Sequence, residues 1–299
     1  MTTRPEWSRE GRDWPNRDAS RFVRAGGLRW HVQVAGQGPT ILLLHGTGAA
    51  THSWRDVLPL LAKDFTVVAP DLPGHGFTDP LPARSQPLPA MATALAALAA
   101  ELALPPAVVV GHSAGAAVAC RVVLDGGLAP RAIVSLNGAL LPFPGVAATL
   151  FPQAAKLLFD NAVAPRLFAL QAHLPGQVER FLARATGSKI DAAGAEFYRR
   201  LFKSPAHCAG ALGMMADWDL ATLARDLPRL GVPLVLAYGD RDAAVPPSVA
   251  REVAAKVPWP ELVPMPGLGH LAHEERPDLA ATIITEAARR HSPKVGAPR

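Results

Sequence analysis

Three residues of this chain have the types and order for acyl-transfer chemistry: Ser113, Asp242 and His270. A serine hydroxyl attacks a carbonyl only when a base takes its proton. An imidazole does this near neutral pH, and a carboxylate fixes the ring's tautomer and stabilises its cation. Ser113 is the centre of G-H-S-A-G (Gly111 to Gly115), which follows the β-branched run Val108-Val109-Val110 and precedes small residues able to start a helix. Strand, sharp turn and helix in that order form a nucleophile elbow, with glycines where a side chain would not fit. The hydroxyl then stands at a helix N-terminus, where developing negative charge is welcome. A tight turn that merely contains serine would look the same, so the other two residues carry the argument. Their order, Ser, Asp, His, is the one expected when an elbow serine leads. Asp240 competes with Asp242 for the acid, and His273 with His270 for the base.

Each candidate follows a predicted strand, as expected where sites form at the carboxyl ends of a parallel sheet. The runs Ile41–Leu44, Phe65–Ala69, Val108–Val110, Ala132–Leu136, Pro233–Tyr238 and Glu261–Met265 read as strands. The continuous apolar ones read as buried on both faces. Phe22-Val23 and Leu28–Val34 around Gly26-Gly27 read as a hairpin, with His31 a half-buried strand histidine. Helices are expected from Trp54 to about Ala62, over Leu88–Leu102, from a Ser248 cap to Lys256, and from Pro277 to about Arg290. The loop His45-Gly46-Thr47-Gly48 ends a buried strand and can aim backbone N–H groups at one point. The Thr47 and Ala114 amides are the expected oxyanion donors.

Between Asn137 and Asp226 the strand rhythm stops. Helical patterns over 146–159, 165–172, 177–184, 194–201 and 207–215 read as a cap over the strand ends. The division expected is an irregular arm at 1–19, stapled to the body by its tryptophans, a core at 20–136 and 227–291, the cap at 137–226, and a flexible tail at 292–299. Gly46, His112, Trp54, Met214, Met215 and Trp218 are the candidates to line a substrate pocket. For the two methionines and Trp218, helix-core packing is the simpler account.

The bulk numbers narrow the class. The chain has 299 residues, 49% of them hydrophobic, enough for a full core. Its net charge is +5, but Lys and Arg are scattered with no basic stripe, so nucleic acid is not an expected partner. Cys120 and Cys208 lack metal or redox spacing and suit a reducing compartment. No signal peptide is read at the start. The apolar stretch 103–124 is broken by prolines, glycines and Ser113 and is not read as a transmembrane segment. His270-x-x-His273-Glu274 lacks zinc-binding spacing, and no nucleotide-binding glycine motif appears, so neither metal nor cofactor is expected.

Together H-G-T-G (45–48), D-L-P-G-H-G (71–76), G-H-S-A-G (111–115), G-D-R-D (239–242) and G-H-L-A-H-E-E-R-P (269–277) resemble the α/β-hydrolase superfamily over about 27–290. That resemblance implies an α/β fold: a mostly parallel sheet flanked by helices, with an inserted helical cap. D-W-P-N-R (13–17), H-G-T-G-A-A-T-H-S-W-R (45–55), L-N-G-A-L-L-P-F (136–143), T-G-S (186–188) and M-M-A-D-W-D-L (214–220) are similar to one branch, the magnesium-chelatase accessory proteins of bacteriochlorophyll biosynthesis. This implies a role around magnesium insertion into protoporphyrin IX. The partners implied are a small-molecule substrate, a tetrapyrrole or an acyl ester, and the magnesium chelatase subunits. The implied location is cytoplasmic or peripheral at the photosynthetic membrane. Two readings stay open: a serine hydrolase acting on an ester or similar acyl bond, and a non-catalytic accessory protein that binds a porphyrin or the chelatase. Haloalkane dehalogenation in its usual form needs a carboxylate at the elbow, which Ser113 excludes. Cofactor-free haloperoxidase or carbon–carbon bond hydrolysis would use the same triad.

Overall fold

A computed structural model of the chain describes residues 4–82, 86–142 and 163–292. In chain order the elements are α1 (Trp7–Glu10), β1 (Ser20–Ala25), β2 (Leu28–Ala35), β3 (Thr40–Leu44), α2 (Val57–Leu61), β4 (Thr66–Pro70), α3 (Leu88–Leu102), β5 (Val108–His112), α4 (Ala114–Leu124) and β6 (Ala132–Leu136). There follow α5 (Ala164–Gln171), α6 (Gln177–Thr186), α7 (Ala192–Phe202), α8 (Pro205–Asp217) and α9 (Leu220–Asp226). The chain closes with β7 (Leu234–Gly239), α10 (Pro247–Ala254), β8 (Pro260–Met265), α11 (Ala272–Glu275) and α12 (Pro277–Arg290). Among the described residues no helix is long and apolar enough to cross a membrane.

The strands form one sheet in the order β1-β2-β4-β3-β5-β6-β7-β8. β1–β2 and β2–β4 pair antiparallel, and every other pair is parallel. The apolar runs explain the two-sided burial. Leu42 and Leu44 face a core shared with α3, α4 and α10, whereas Ile41 and Leu43 face a core shared with α2 and α12. Alternation along a strand sends successive side chains to opposite layers, so both layers are filled only when every residue is apolar.

Some local expectations are corrected. Trp54 ends a short 3-10 turn, Thr51–Trp54, and the α-helix begins only at Val57. Ser248 does not cap α10, which starts at Pro247 with Pro246 before it. Proline suits the first helical position because its missing N–H would be unpaired there anyway. His31 is fully buried, its two ring nitrogens hydrogen-bonded to Asp71 and Ser20. The expected helix at 146–159 lies outside the described residues, as do 293–299 of the tail.

The arm, expected to be irregular, holds the one-turn helix α1. Trp7 of that turn lies edge-on to Phe22 and Phe77. Trp14 is buried, donates Nε1–H to Thr51 Oγ1 at 2.9 Å and lies edge-on to Phe77 and Phe197. Asp13 also receives a two-pronged bond from Arg200 of α7. α9 packs on α4, with Leu223 in the α4 core and Asp226 accepting from Arg121 at 2.8 Å.

Candidate active site

The elbow at Ser113 is set by backbone contacts at their limit. A Cβ on Gly115 would lie 2.2 Å from the Leu44 carbonyl oxygen, and one on Gly111 would lie 2.3 Å from the Ala116 nitrogen. Real Cβ atoms do not come so close, so β3, β5 and α4 meet only with glycine at both places. Ser113 itself takes φ 50° and ψ −117°. Such a backbone is costly for a residue with a side chain and marks a position held by its surroundings. Its N–H donates to the Leu136 carbonyl, and its carbonyl accepts from Ala116 and Ala139.

Asp242 lies in the loop after β7 and is buried. Its Oδ1 accepts from the amides of Ala244 and Val245 at 2.8 and 2.7 Å. Its Oδ2 accepts from Asn137 Nδ2 and from His270 Nδ1, both at 2.8 Å. The contact with the carboxylate assigns the ring proton to Nδ1 and leaves Nε2 as the acceptor. Asp240 is exposed and accepts from the Gly267 amide instead. His273 is buried, with neither ring nitrogen hydrogen-bonded among the described residues. The structure thus joins Asp242 to His270, while Asp240 is engaged elsewhere and His273 is sealed off. Ser113 Oγ makes no hydrogen bond to His270 among the described residues. Contacts of this kind often tighten only around a bound substrate.

The Gly46–Thr47 loop stands against the elbow. A Cβ on Gly46 would lie 2.8 Å from His112 Nδ1 and 3.0 Å from Ser113 Cβ. The Thr47 N–H donates to no acceptor among the described residues. Ala114 opens α4, where first-turn amides have no intrahelical partner. His45 fixes the loop by donating Nδ1–H to the Gly46 carbonyl and accepting from the Leu72 amide at Nε2, each at 2.8 Å. Burial, partly offset by Asp71, pushes its pKa down to about 4, which keeps it neutral. Among the described residues no cluster of His, Cys, Asp or Glu is arranged to hold a metal ion.

The pocket candidates divide. Thr47 Oγ1 reaches Met214 Sδ at 3.1 Å, so α8 touches the Gly46–Thr47 loop, but Met214 itself is fully buried in the α4 core. Met215 and Trp218 are half-buried, and Trp218 packs against that same core. Trp54 and His112 are corrected, since neither presents a free wall. Trp54 is sealed in the α2 core with its ring on His273. His112 is buried and donates Nε2–H to the His270 carbonyl at 2.9 Å, so it braces the base loop.

Several positioning groups escape the sequence reading. Asn137, at φ 50° after β6, holds Asp242. The Thr186-Gly187-Ser188 turn at the end of α6 clamps the loops that carry Asp242 and His270. The Thr186 carbonyl accepts from the His270 amide at 2.8 Å, and Ser188 Oγ accepts from the Leu271 amide and donates to Glu275. A Cβ on Gly187 would lie 2.3 Å from the Arg241 carbonyl oxygen. The T-G-S signal stands in the sequence, but its task does not. Glu274 is buried between Arg55 Nη1 and the Tyr198 hydroxyl of α7. Burial outweighs the Arg55 attraction and pushes its pKa up to about 7.

Residues 41–283 match the model of the alpha/beta hydrolase family. The chain is 40% identical over 280 residues to a Rhodobacter capsulatus protein named magnesium-chelatase 30 kDa subunit, covering 92% of this chain and 96% of that one. It is 29% identical over 242 residues to the pimeloyl-[acyl-carrier protein] methyl ester esterase of Vibrio atlanticus, covering 78% and 87%. A thermophilic esterase from Thermogutta terrifontis superposes with a TM-score of 0.73 at 23% identity, covering 92% and 99%, a likeness of fold alone. With the family model spanning most of its length and a relative at 40% identity nearly end to end, the chain belongs to the alpha/beta hydrolase family.

Proposed function

We propose that the protein is a serine hydrolase acting on an ester or similar acyl bond, with Ser113 as nucleophile, His270 as base and Asp242 as the carboxylate that orients it. The observation that carries this reading is the Asp242–His270 bond of 2.8 Å, made by a carboxylate whose two oxygens accept three further hydrogen bonds. A carboxylate so held does not swing away, and it leaves Nε2 free to receive the Ser113 proton. The Ser113 oxygen bonds to the carbonyl carbon, and the carbonyl oxygen gathers charge facing the Thr47 and Ala114 amides. His270 then gives its proton to the departing alcohol. Water, deprotonated by the same ring, attacks the acyl carbon; the bond to Ser113 Oγ breaks, the ring returns its proton to that oxygen, and the acid is freed.

This reading places the activity at the magnesium-chelatase step of bacteriochlorophyll biosynthesis, on the strength of the 40% identity to the Rhodobacter protein. The same identity favours a second reading, an accessory protein that binds a porphyrin or the chelatase without catalysis. A fluorophosphonate probe decides between them. Labelling of the wild type and none of Ser113→Ala supports the hydrolase. No labelling of the wild type, with tetrapyrrole binding indifferent to Ser113→Ala, supports the accessory role. Protection from labelling by protoporphyrin IX would put the tetrapyrrole in the same cavity.

A further inference from the structure

The helices inserted between β6 and β7 carry large apolar side chains on their outward side that the site does not use. Leu167 and Leu170 of α5 are 55% and 66% exposed, and Leu174, in the turn after it, is 53% exposed. Phe181 of α6 is 52% exposed. The inward sides of both helices are accounted for: Ala164, Pro165 and Ala169 of α5 are buried, and Val178 and Leu182 of α6 share one small core with Ala49, Ala172 and Tyr198. Residues three or four apart lie on one helix face. Leu167 and Leu170 therefore form a stripe on the side of α5 opposite its buried Pro165 and Ala169.

Cationic side chains follow this stripe on the next helix. Arg180 and Arg184, four apart on α6, are exposed and in no ion pair among the described residues. The Arg180 guanidinium folds back over the turn, with Nη1 3.5 Å from where a Cβ of Gly176 would stand, two residues from Leu174. From 164 to 189 the sequence has four Lys or Arg and one carboxylate, Glu179. Apolar side chains flanked by arginines match a bilayer with anionic headgroups: leucines enter the interface while guanidinium groups meet phosphates. A second copy fits less well, since a two-fold contact would bring two sets of unpaired arginines into one interface.

We propose that the exposed side of α5, of the turn after it and of α6 docks the protein on an anionic lipid bilayer. This docking stands apart from the chemistry at Ser113 and holds or fails without it. Co-sedimentation of the full chain with phosphatidylcholine vesicles, with and without about a third of phosphatidylglycerol, tests it. The wild type should bind the anionic vesicles about tenfold more tightly than the neutral ones, and lose that preference in high salt. The double variants Leu170→Glu/Leu174→Glu and Arg180→Glu/Arg184→Glu should each weaken binding at least about fivefold, with unchanged thermal unfolding because all four side chains are exposed. Absence of wild-type binding, equal binding to both vesicle types, or binding that survives either variant overturns the proposal. So does a dimer in solution that Leu170→Glu/Leu174→Glu dissociates, which would give this face to a second copy.

Discussion

Asn137 donates its side-chain N–H to the same Asp242 oxygen that accepts His270 Nδ1–H, each at 2.8 Å. Asp242 is thus held from the end of β6 as well as from its own loop. Asn137→Ala leaves the two backbone donors on Oδ1 and removes one of the two donors on Oδ2, so that only His270 remains there. At metal sites, groups that orient a working side chain from behind are worth about 10- to 100-fold. Ester turnover by Asn137→Ala should fall by about 10-fold in kcat with KM unchanged, measured alongside thermal unfolding to show an intact fold. An unchanged kcat would show that Asp242 needs no second anchor.

The choice between Asp242 and Asp240 is a kinetic prediction. Asp242→Asn should lower kcat by about 10⁴, because an amide facing Nδ1 favours the wrong tautomer. Asp240→Asn weakens only an exposed bond to the Gly267 amide and should stay within about twofold of the wild type. The reverse ranking in steady-state ester hydrolysis would move the acid to Asp240.

Gly115 has no tolerance for a side chain. Gly115→Ala places a methyl against the Leu44 and His45 carbonyls, where only backbone can yield. Overpacking costs about 1–3 kcal/mol, and the upper end is expected here. A urea unfolding midpoint like the wild type's would show that the elbow is looser than these contacts imply.

Acid should unfold the protein early. Burial lowers His45 to about 4 and His75, His207 and His273 to about 3, against an ordinary 6.5. His52 and His112 are held well below it for the same reason. Groups whose folded pKa is depressed contribute stability that is present above the unfolded pKa and lost as pH falls. Each ring therefore removes about 1.4 kcal/mol per pH unit between about 6.5 and its folded pKa. Glu274, raised to about 7 by burial, has the opposite sign: its contribution is present below about 4.5 and lost as pH rises through 7. One carboxyl is outweighed by the buried rings. The urea midpoint should drop steeply between about pH 6.5 and about pH 5, and His273→Leu should flatten that slope by about one proton. A midpoint independent of pH over that range contradicts the prediction.

Ser188 joins the α6 end to the segment that follows His270. Ser188→Ala strands the Leu271 amide and removes one donor from Glu275 Oε1, which still accepts from Gly269 at 2.8 Å. The cost to stability should be about 1–3 kcal/mol, read from urea unfolding. A loss below the error of that measurement would make the contact dispensable.

The parts of the fold legible in the sequence are those where one physical rule acts alone. The two-sided strands declare themselves by unbroken apolar runs. α3 and α12 begin and end where the periodicity says, because Pro89 and Pro277 sit in first turns where a missing N–H does no harm. The elbow is legible because its glycines answer a local steric demand. What stays hidden depends on partners distant in sequence. Asn137 is an ordinary polar residue until the fold brings Asp242 beside it. Eight of the ten histidines are buried, although the type is polar and burial is settled only by packing. α11 spans four residues, too few to show a helical period.

Glu274 follows His270 by four positions and takes hydrogen bonds from both Arg55 and the Tyr198 hydroxyl of α7. Roof and floor are therefore riveted at one dry joint, a single turn away from the imidazole. A change that shifts the roof is felt at the His270 loop through that rivet. A substitution in the inserted helices therefore cannot alter their own packing alone; it also moves the segment that carries His270.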